Sequence, residues 1–254
     1  FILASFSSRQ VGSAFLSMTS VLAPPEGNNE VKRRSDRNQE PRRCSIVYTD
    51  SDYVVVDKPF DVRIDGEGFD VTVESLVLSY LKSAGRPENV VRFAHRLDFA
   101  TSGCICLALN RKAAGRAGDA FMSREALKEY LALVYGHVAE QGYFIDAPIT
   151  DFRPDESKGE ERIRPTNAED DGRDFRMTIG TPNNPGREAQ TEVRVLEWGT
   201  YMGRPVSKLL LLPKTGRRHQ LRVHLAMIGH PIVGDYTYAH DREAPRMMLH
   251  SWRL

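Results

Sequence analysis

The stretch His95-Arg96-Leu97-Asp98-Phe99-Ala100-Thr101-Ser102-Gly103 runs directly into the apolar segment 104–109, and it decides how the rest of the chain is interpreted. In that segment, branched apolar residues alternate with small or sulfur-bearing ones, so both faces are apolar and the pattern indicates a central β-strand. Asp98 therefore stands just before a rigid element and ahead of a Thr-Ser-Gly turn. A carboxylate held in this way suits a nucleophile or a general base.

A purely structural role for Asp98 is also consistent with the sequence. Its carboxylate could accept hydrogen bonds from the backbone of Thr101 or Ser102 and shape an Asx-type turn before the strand. The spacing of these residues does not separate the two roles, so both stay open at this point.

Length and composition limit the class of protein. A chain of 254 residues can bury a sizeable core. It has no run of about 18 apolar residues, so no membrane-spanning helix is expected. The three cysteines, Cys44, Cys104 and Cys106, match neither a disulfide framework nor a zinc ribbon, and we expect reduced packing residues in a reducing compartment.

The formal net charge is only +1, but the charges are unevenly distributed. No acidic residue occurs between Glu197 and Asp235, a region with six basic ones: Arg204, Lys208, Lys214, Arg217, Arg218 and Arg222. A basic run is often just a solvated face. Segregated charge in a neutral chain is nevertheless typical of a nucleic-acid footprint.

Three segments are distinguished by composition. Residues 1–43 are predicted to be a disordered or targeting segment, because residues 1–25 lack acidic side chains and residues 24–43 are polar and highly charged. That composition leaves cytoplasm and mitochondria as the expected compartments. Residues 44–254 are predicted to form the folded domain, truncated at its C-terminal end, with a polar and partly disordered surface excursion over residues 151–188.

Periodicity and turn signals predict the elements of the domain. Helices are expected over residues 73–83 with Thr72 as cap, over 111–126 with Asn110 as cap, and over 219–228. Strands are expected over residues 46–48, 53–56, 104–109, 128–136, 192–198 and 206–212 and from Arg246 onwards. The loop 214–218 opens the last helix, whose N-terminal N–H groups and positive dipole end favour an anion such as phosphate.

Three motifs occur in an order that resembles one enzyme family. They are His-Arg-Leu-Asp-x-x-Thr-Ser-Gly at 95–103, Lys-x-Tyr-x-Ala at 128–132, and the glycine-bearing loop and helix at 214–225 followed by His-Pro-Ile-Val-Gly-Asp at 230–235. Together they resemble the RluA-like pseudouridine synthases, which modify uridines of ribosomal and transfer RNA. The segment 53–65, which ends in Asp61-Val62-Arg63-Ile64-Asp65, and the segment Arg246-Met247-Met248-Leu249-His250 together most resemble the animal RNA pseudouridylate synthase domain-containing proteins.

The resemblance implies the fold and the reaction. The fold would be α+β, with a mixed, mainly antiparallel sheet and flanking helices, and the enzyme would isomerise uridine in RNA to pseudouridine. This reaction involves no redox change and demands no cofactor or metal. RNA is the expected partner, no membrane is expected, and the protein is expected to be a monomer.

The resemblance also assigns three catalytic residues. Asp98 would be the nucleophile, attacking either C6 of uracil or C1′ of the ribose, and Arg222 would be the cation that keeps it ionised. Tyr130 would lie beside the flipped base, as a stacking surface or as a base that removes the C5 proton. Ordinary packing in a strand is the structural alternative for Tyr130.

The remaining site residues are predicted to contact RNA. Arg96 would fill the space that the flipped nucleotide leaves, and its structural alternative is a salt bridge to a nearby acid. Leu221 would wall the uracil. The other predicted contacts are Lys214, Arg217, Arg218 and His219.

Two other functions compete with this one. A catalytically inactive RNA-binding domain of the same fold would share every basic feature. A metal-dependent phosphoesterase would use histidines from the set His95, His219, His224, His230 and His250. On a helix, however, His219 and His224 lie about 140° apart, which does not suit ligation of one metal ion.

Overall fold

The computed structural model describes residues 44–66, 68–69, 71–86, 90–139, 142–154, 157, 160–161 and 175–254. The predicted disordered or targeting segment, residues 1–43, lies outside the described residues, as does the middle of the predicted excursion. The described chain divides into two compact units. The first holds residues 44–126 together with Thr200–Gly203 and His250–Leu254, and the second holds Leu127–Gly199 and Arg204–Leu249.

The described elements follow one another along the chain as strands with four interspersed helices. They are β1 (Ser45–Thr49), β2 (Tyr53–Lys58), α1 (Val73–Ser83), β3 (Arg92–Phe93), β4 (Ser102–Ala108), α2 (Arg111–Met122), β5 (Glu129–Tyr135), β6 (Gly142–Asp146), β7 (Ile149–Asp151), β8 (Met177–Ile179), β9 (Gln190–Tyr201), β10 (Arg204–Pro213), α3 (Gln220–Met227), α4 (Tyr236–Ala239) and β11 (Leu249–Arg253).

Strand β4 is the centre of the first unit. It pairs with β2 in antiparallel register from Ala108 opposite Tyr53 to Gly103 opposite Lys58, and its start pairs in parallel with β11. Strand β3 also pairs with β4, and β1 adds to β2 on its other side. Most of β4 is buried, which confirms the central strand predicted from the apolar run.

A reciprocal hydrogen-bonded cap starts helix α1. The Thr72 hydroxyl accepts from the Ser75 N–H at 3.0 Å, and the Ser75 hydroxyl accepts from the Thr72 N–H at 2.9 Å. This arrangement satisfies two N–H groups at the helix start. Val73, Val77 and Leu81 lie on one face and are fully buried, so the predicted helix is confirmed at both ends.

Helix α2 is shorter than predicted. The Asn110 side chain accepts from the Ala113 N–H at 2.8 Å, as expected for the cap, but the helix ends at Met122 and not at residue 126. The chain leaves the helix through Arg124, whose φ of 62° is left-handed, and the Glu125 N–H then returns to the Ala120 carbonyl. Such an ending is usually marked by glycine, which is absent here.

The second unit is built on the antiparallel strands β5, β10, β9 and β6, hydrogen-bonded in that order. Strands β9 and β10 are longer than the segments predicted for them. Strands β7 and β8 form a separate antiparallel pair, so residues 177–179 of the predicted excursion are folded. Because β4 and β11 of the first unit pair in parallel, the strand pairing is mixed and mainly antiparallel, and the α+β class is confirmed.

Helix α3 is buried around most of its circumference. All residues from Gln220 to Leu225 are buried, and Ile228, the last residue of the predicted helix, lies just beyond the helix and is only half-buried. The helix is therefore enclosed on most of its faces. No helix of the described residues is long and apolar enough to cross a membrane.

Gly103 is required by the close parallel pairing at the start of β4. Its φ is +109°, and a Cβ there would lie 2.2 Å from the Ser251 carbonyl oxygen. We expect Gly103→Ala to lower the free energy of unfolding by about 2–4 kcal/mol, because the clash with backbone adds to an unfavourable φ. Urea denaturation measures this change.

Gly115 is the matched control for that substitution. It lies in the exposed part of α2, where an added Cβ meets nothing within 4 Å. Gly115→Ala should therefore stabilise the protein by up to about 1 kcal/mol. If the two substitutions had equal effects, the close approach of β4 and β11 would not be a determinant of stability.

Candidate active site

Asp98 lies at the first position of a tight turn that leads into β4. The Thr101 N–H donates to the Asp98 carbonyl at 3.1 Å, and residues 99 and 100 form the tip of the turn. Asp98 is half-buried, whereas Thr101 and Ser102 are buried. The turn thus brings a partly accessible carboxylate to the start of the central strand of its unit.

A buried lysine is hydrogen-bonded to the backbone of this turn. Lys58, at the end of β2, has no exposed surface, and its Nζ donates to the carbonyls of Pro59 and Phe99, each at 2.9 Å. Burying a lysine without such acceptors would cost several kcal/mol. Because Phe99 directly follows Asp98, this contact fixes the backbone next to the predicted nucleophile.

His95 has a structural role in the same region. Its Nε2 accepts from the Cys106 N–H at 2.9 Å, and its ring stacks on Phe121 at 4.6 Å between centroids. Cys104 is fully buried in β4 and Cys106 packs half-buried against the same buried cluster, as predicted for packing residues. Burial raises the pKa of both thiols to about 12. Protonated thiols of this kind are poor nucleophiles.

Arg96 points to solvent and forms an ion pair with Asp65. Two guanidinium nitrogens lie 3.0 Å from the two carboxylate oxygens, and the Arg96 side chain is 67% exposed. The structure therefore contains the salt bridge that was the alternative role for Arg96. An exposed pair of this kind contributes only about 0–1 kcal/mol, so it is easily exchanged for another contact.

Tyr130 belongs to β5 in the second unit, opposite Leu211 of β10. It is half-buried and shares one face of the strand with Ala132 and Val134, while Leu131 lies on the other face. Tyr130 therefore lies in the strand predicted over residues 128–136, while its place beside the flipped base stays a prediction.

Arg222 forms a buried bidentate ion pair with Asp235. Nε and one Nη of Arg222 donate to the two carboxylate oxygens at 2.7 and 2.9 Å, and the side chains are 6% and 1% exposed. The guanidinium carbon also lies 5.0 Å from the centre of the Tyr238 ring. Sequence reasoning did not foresee Asp235 as a partner of this arginine.

Hydrogen bonds to a second carboxylate, Asp241, fix the loop that carries Asp235. Asp241 accepts from the Gly234 N–H at 2.6 Å and from the Tyr135 hydroxyl at 2.5 Å. Burial is the largest influence on its pKa and raises it, but these bonds and those from the N–H groups of Glu243 and Ala244 together lower the pKa below its ordinary value. Asp241 is therefore held as a carboxylate next to the loop.

The glycine-bearing loop before α3 is tied down by Gln220. Its side-chain oxygen accepts from the Thr215 hydroxyl at 2.7 Å and from the Arg217 N–H at 3.0 Å. Its side-chain nitrogen donates to the Gln190 carbonyl at 2.9 Å and to the Thr191 hydroxyl oxygen at 3.0 Å. Every hydrogen-bonding position of this buried amide is used, so the loop is fixed to the start of β9.

Among the predicted RNA-binding cations of this loop, Lys214 and Arg218 are exposed and Arg217 is half-buried, and none of the three is an isolated charge. Lys214 lies 3.2 Å from Glu192, and Arg218 lies 3.2 Å from Asp151. Arg217 donates through Nε to the Glu188 carbonyl at 2.8 Å. The basic run contains no acidic residue in sequence, but two neighbouring strands place Glu192 and Asp151 next to its cations.

His219 and Leu221 are more enclosed than a surface contact with RNA would suggest, with 5% and 7% of their surface exposed. His219 precedes α3 with a left-handed φ of 55°, and its Nδ1 shares a hydrogen bond with the Tyr238 hydroxyl at 2.8 Å. Phe175 packs edge-on against the same ring at 4.9 Å. The RNA contacts predicted for these two residues stay predictions.

A family model for RNA pseudouridylate synthase matches residues 52–227, a span that contains Asp98, Tyr130 and Arg222. The chain belongs to the RNA pseudouridylate synthase family. The predicted membership is confirmed, and with it the enzyme class: this synthase is an isomerase that converts uridine in RNA to pseudouridine.

Individual relatives agree with the family model. RNA pseudouridylate synthase domain-containing protein 1 of Danio rerio is 43% identical over 218 residues, which are 83% of this chain and 69% of the relative. Dual-specificity RNA pseudouridine synthase RluA of Escherichia coli (strain K12) is 32% identical over 212 residues, covering 82% and 84%. The solved structure of human RNA pseudouridylate synthase domain containing 1 has a TM-score of 0.64 at 38% identity, covering 85% of this synthase and 79% of the human chain.

Histidines that the competing phosphoesterase hypothesis would use as metal ligands are hydrogen-bonded to other groups of the protein. His224 bonds through both ring nitrogens, to the Thr191 hydroxyl and the Ala147 carbonyl, and burial is the largest factor lowering its pKa. His230 and His250 each bond through Nδ1, to the Tyr135 carbonyl and to the Ser102 hydroxyl. Among the described residues no group of potential ligands is arranged to hold a metal ion.

The sequence did not predict that three residues, Lys58, Asp235 and Gln220, position the groups of the candidate site. Asp235 and Gln220 lie in the third motif and the segment after it, whereas Lys58 lies in none of the three motifs, and nothing in the sequence indicated the partners of Lys58 or Asp235. A glutamine in the first turn of a helix with apolar neighbours was the available signal for Gln220, because a buried amide needs several hydrogen bonds.

Gln220→Leu should lower the free energy of unfolding by about 2–4 kcal/mol, because a leucine of similar size leaves buried donors and acceptors without partners. Chemical denaturation followed by fluorescence measures this. Gln190→Leu is the control, since its side-chain amide makes only an exposed contact with Asp146. Equal losses from both variants would contradict the role assigned to Gln220.

Proposed function

We propose that this synthase uses Asp98 as a covalent nucleophile on a uridine that has been flipped out of its RNA. The observation that carries this proposal is the rigid turn before β4, in which Lys58 anchors the Phe99 carbonyl and the Thr101 N–H bonds to the Asp98 carbonyl. A nucleophile held on fixed backbone needs little reorganisation to reach its target. The attacked atom is C6 of the base or C1′ of the sugar.

Arg222 is proposed to keep the nucleophile ionised. A guanidinium has five N–H donors, and Asp235 engages two nitrogens of Arg222 in its bidentate pair. Asp235 would thus orient the planar group for a second carboxylate. Because Asp235 also offsets the charge of Arg222, orientation and hydrogen bonding would contribute more to stabilising Asp98 than long-range attraction does.

Tyr130 and Arg96 are proposed to handle the flipped nucleotide. Tyr130 would stack beside the uracil or remove the C5 proton after the carbon–carbon bond has formed, and Leu221 would wall the base. Arg96 would leave its exposed pair with Asp65 and occupy the space vacated in the RNA. The low net stability of an exposed ion pair makes that exchange inexpensive.

Ribosomal or transfer RNA is the proposed substrate, supported by the resemblance of the three motifs to the branch that modifies these RNAs. The exposed Lys214 and Arg218 and the half-buried Arg217, all in the loop before α3, would contact its phosphates, with His219 at the edge of the same loop. Such contacts position RNA without reading its sequence. We propose that the protein acts as a monomer, in the cytoplasm or in mitochondria.

Asp98→Asn tests the nucleophile directly. Cells that carry this variant should lose pseudouridine at particular positions of ribosomal or transfer RNA, because an amide cannot replace the carboxylate in the attack. Sequencing that maps pseudouridine measures the loss, and the purified variant should bind the same RNA with nearly unchanged affinity. Retained modification would refute the assignment of Asp98.

Arg217→Ala combined with Arg218→Ala tests the phosphate contacts. RNA binding should weaken, and the slope of log affinity against log salt should become shallower by about 0.7 for each phosphate of a single-stranded RNA that the variant no longer neutralises. Arg111→Ala with Lys112→Ala, which removes two exposed cations of α2, is the matched control and should leave the slope unchanged. A normal slope in the first double variant would remove these arginines from the interface.

A further inference from the structure

An aromatic ring next to the proposed nucleophile is exposed and is grouped with a guanidinium and a second ring. Phe99 directly follows Asp98, and half of its surface is accessible to solvent. The guanidinium carbon of Arg63 lies 5.7 Å from the centre of the Phe99 ring and 4.2 Å from the centre of the Phe69 ring. We refer to Phe99, Arg63 and Phe69 as the stacking cluster.

The backbone beneath the stacking cluster is well anchored. The Phe99 carbonyl accepts from the buried Lys58 Nζ, and the Arg63 carbonyl accepts from the Val73 N–H at 2.9 Å at the start of α1. Phe69 packs towards the chain at Gly66, where an added Cβ would lie 3.3 Å from its ring. The exposed ring of Phe99 is therefore presented on a fixed support.

An exposed large apolar side chain at such a position is not explained by folding. Phe99 gains little from burial, and an alanine in the turn would serve the backbone equally well. Arg63 contributes positive charge beside the rings, and Arg96 adds another exposed guanidinium three residues before Phe99. Aromatic faces with guanidinium groups are the surfaces on which unpaired nucleobases stack.

We propose that the stacking cluster binds the nucleobase of an unpaired nucleotide next to the target uridine, with Phe99 as the contacting ring. This inference rests on the proposed function, because it places the flanking base by its closeness to Asp98. Stacking of this kind favours a target with an unpaired neighbour and tolerates any base there, since every base has a π-face. It would also hold the RNA chain beside Asp98 once the uridine is flipped.

Binding to modified RNA tests the proposal. The probe is a hairpin excised from whichever RNA the wild-type synthase modifies, with copies in which the loop nucleotide before or after the uridine is abasic. Affinities are measured in the Asp98→Asn background, so that the RNA is not altered during the experiment. Phe99→Ala should weaken binding by about 5- to 100-fold, the loss expected for one stacked base, and Phe99→Trp should restore it.

A thermodynamic cycle separates stacking from a general loss of structure. One abasic substitution should weaken binding to the protein with Phe99 by a similar factor, yet add little when Phe99 is already alanine. Tyr48→Ala, which removes a partly exposed aromatic ring on β1, is the matched control and should leave affinity unchanged. Unfolding measured on every variant shows whether each is folded.

Two outcomes would overturn the proposal. Phe99→Ala with wild-type affinity would show that the ring contacts no base, and fully multiplicative losses from Phe99→Ala and the abasic substitutions would show that they do not interact. In either case, pseudouridine formation by the wild-type protein and its loss in Asp98→Asn would leave the proposed function intact. A wild-type protein that modifies no RNA would refute both.

Discussion

The contact on which the first unit most depends is that between the buried Lys58 Nζ and the carbonyls of Pro59 and Phe99. One side chain with no exposed surface joins the end of β2 to the turn that carries Asp98. A buried amino group is tolerated only where acceptors surround it, so the turn cannot move away without leaving a costly unsatisfied donor. The position of the proposed nucleophile is thereby coupled to the stability of the sheet.

The second unit uses the same principle with a charged pair. Arg222 on α3 is held by Asp235 from the following loop, and Gln220 ties the start of the helix to β9. Separating the two members of a buried pair would leave an uncompensated charge in the interior. The pair therefore holds its geometry even where it adds little net stability. The chemistry proposed for Arg222 thus depends on a geometry set by neighbours outside its helix.

Charge distribution shows how far a linear pattern can mislead. The run from Arg204 to Arg222 is free of acids in sequence, yet four of its six cations form ion pairs in the fold, and the other two contact a ring or a carbonyl. The potential around the proposed RNA-binding loop is therefore weaker than a count of basic residues implies. The exposed cations still reach solvent, but phosphate would have to compete with the carboxylates beside them.

From the sequence alone, the family, the α+β class, the cap of α1 and the central strand β4 were all predictable. Periodicity and capping reflect interactions within a few residues, and the three motifs are contiguous, so a linear pattern is enough to detect them. Only the tertiary structure decided which distant groups form hydrogen bonds. Lys58 bonds to the backbone carbonyl of Phe99, 41 residues away, and Arg96 bonds to the carboxylate of Asp65, 31 residues away. These partners are brought together by the packing of separate strands and loops, and no local preference in the chain specifies which carbonyl or carboxylate will be nearest once that packing is complete.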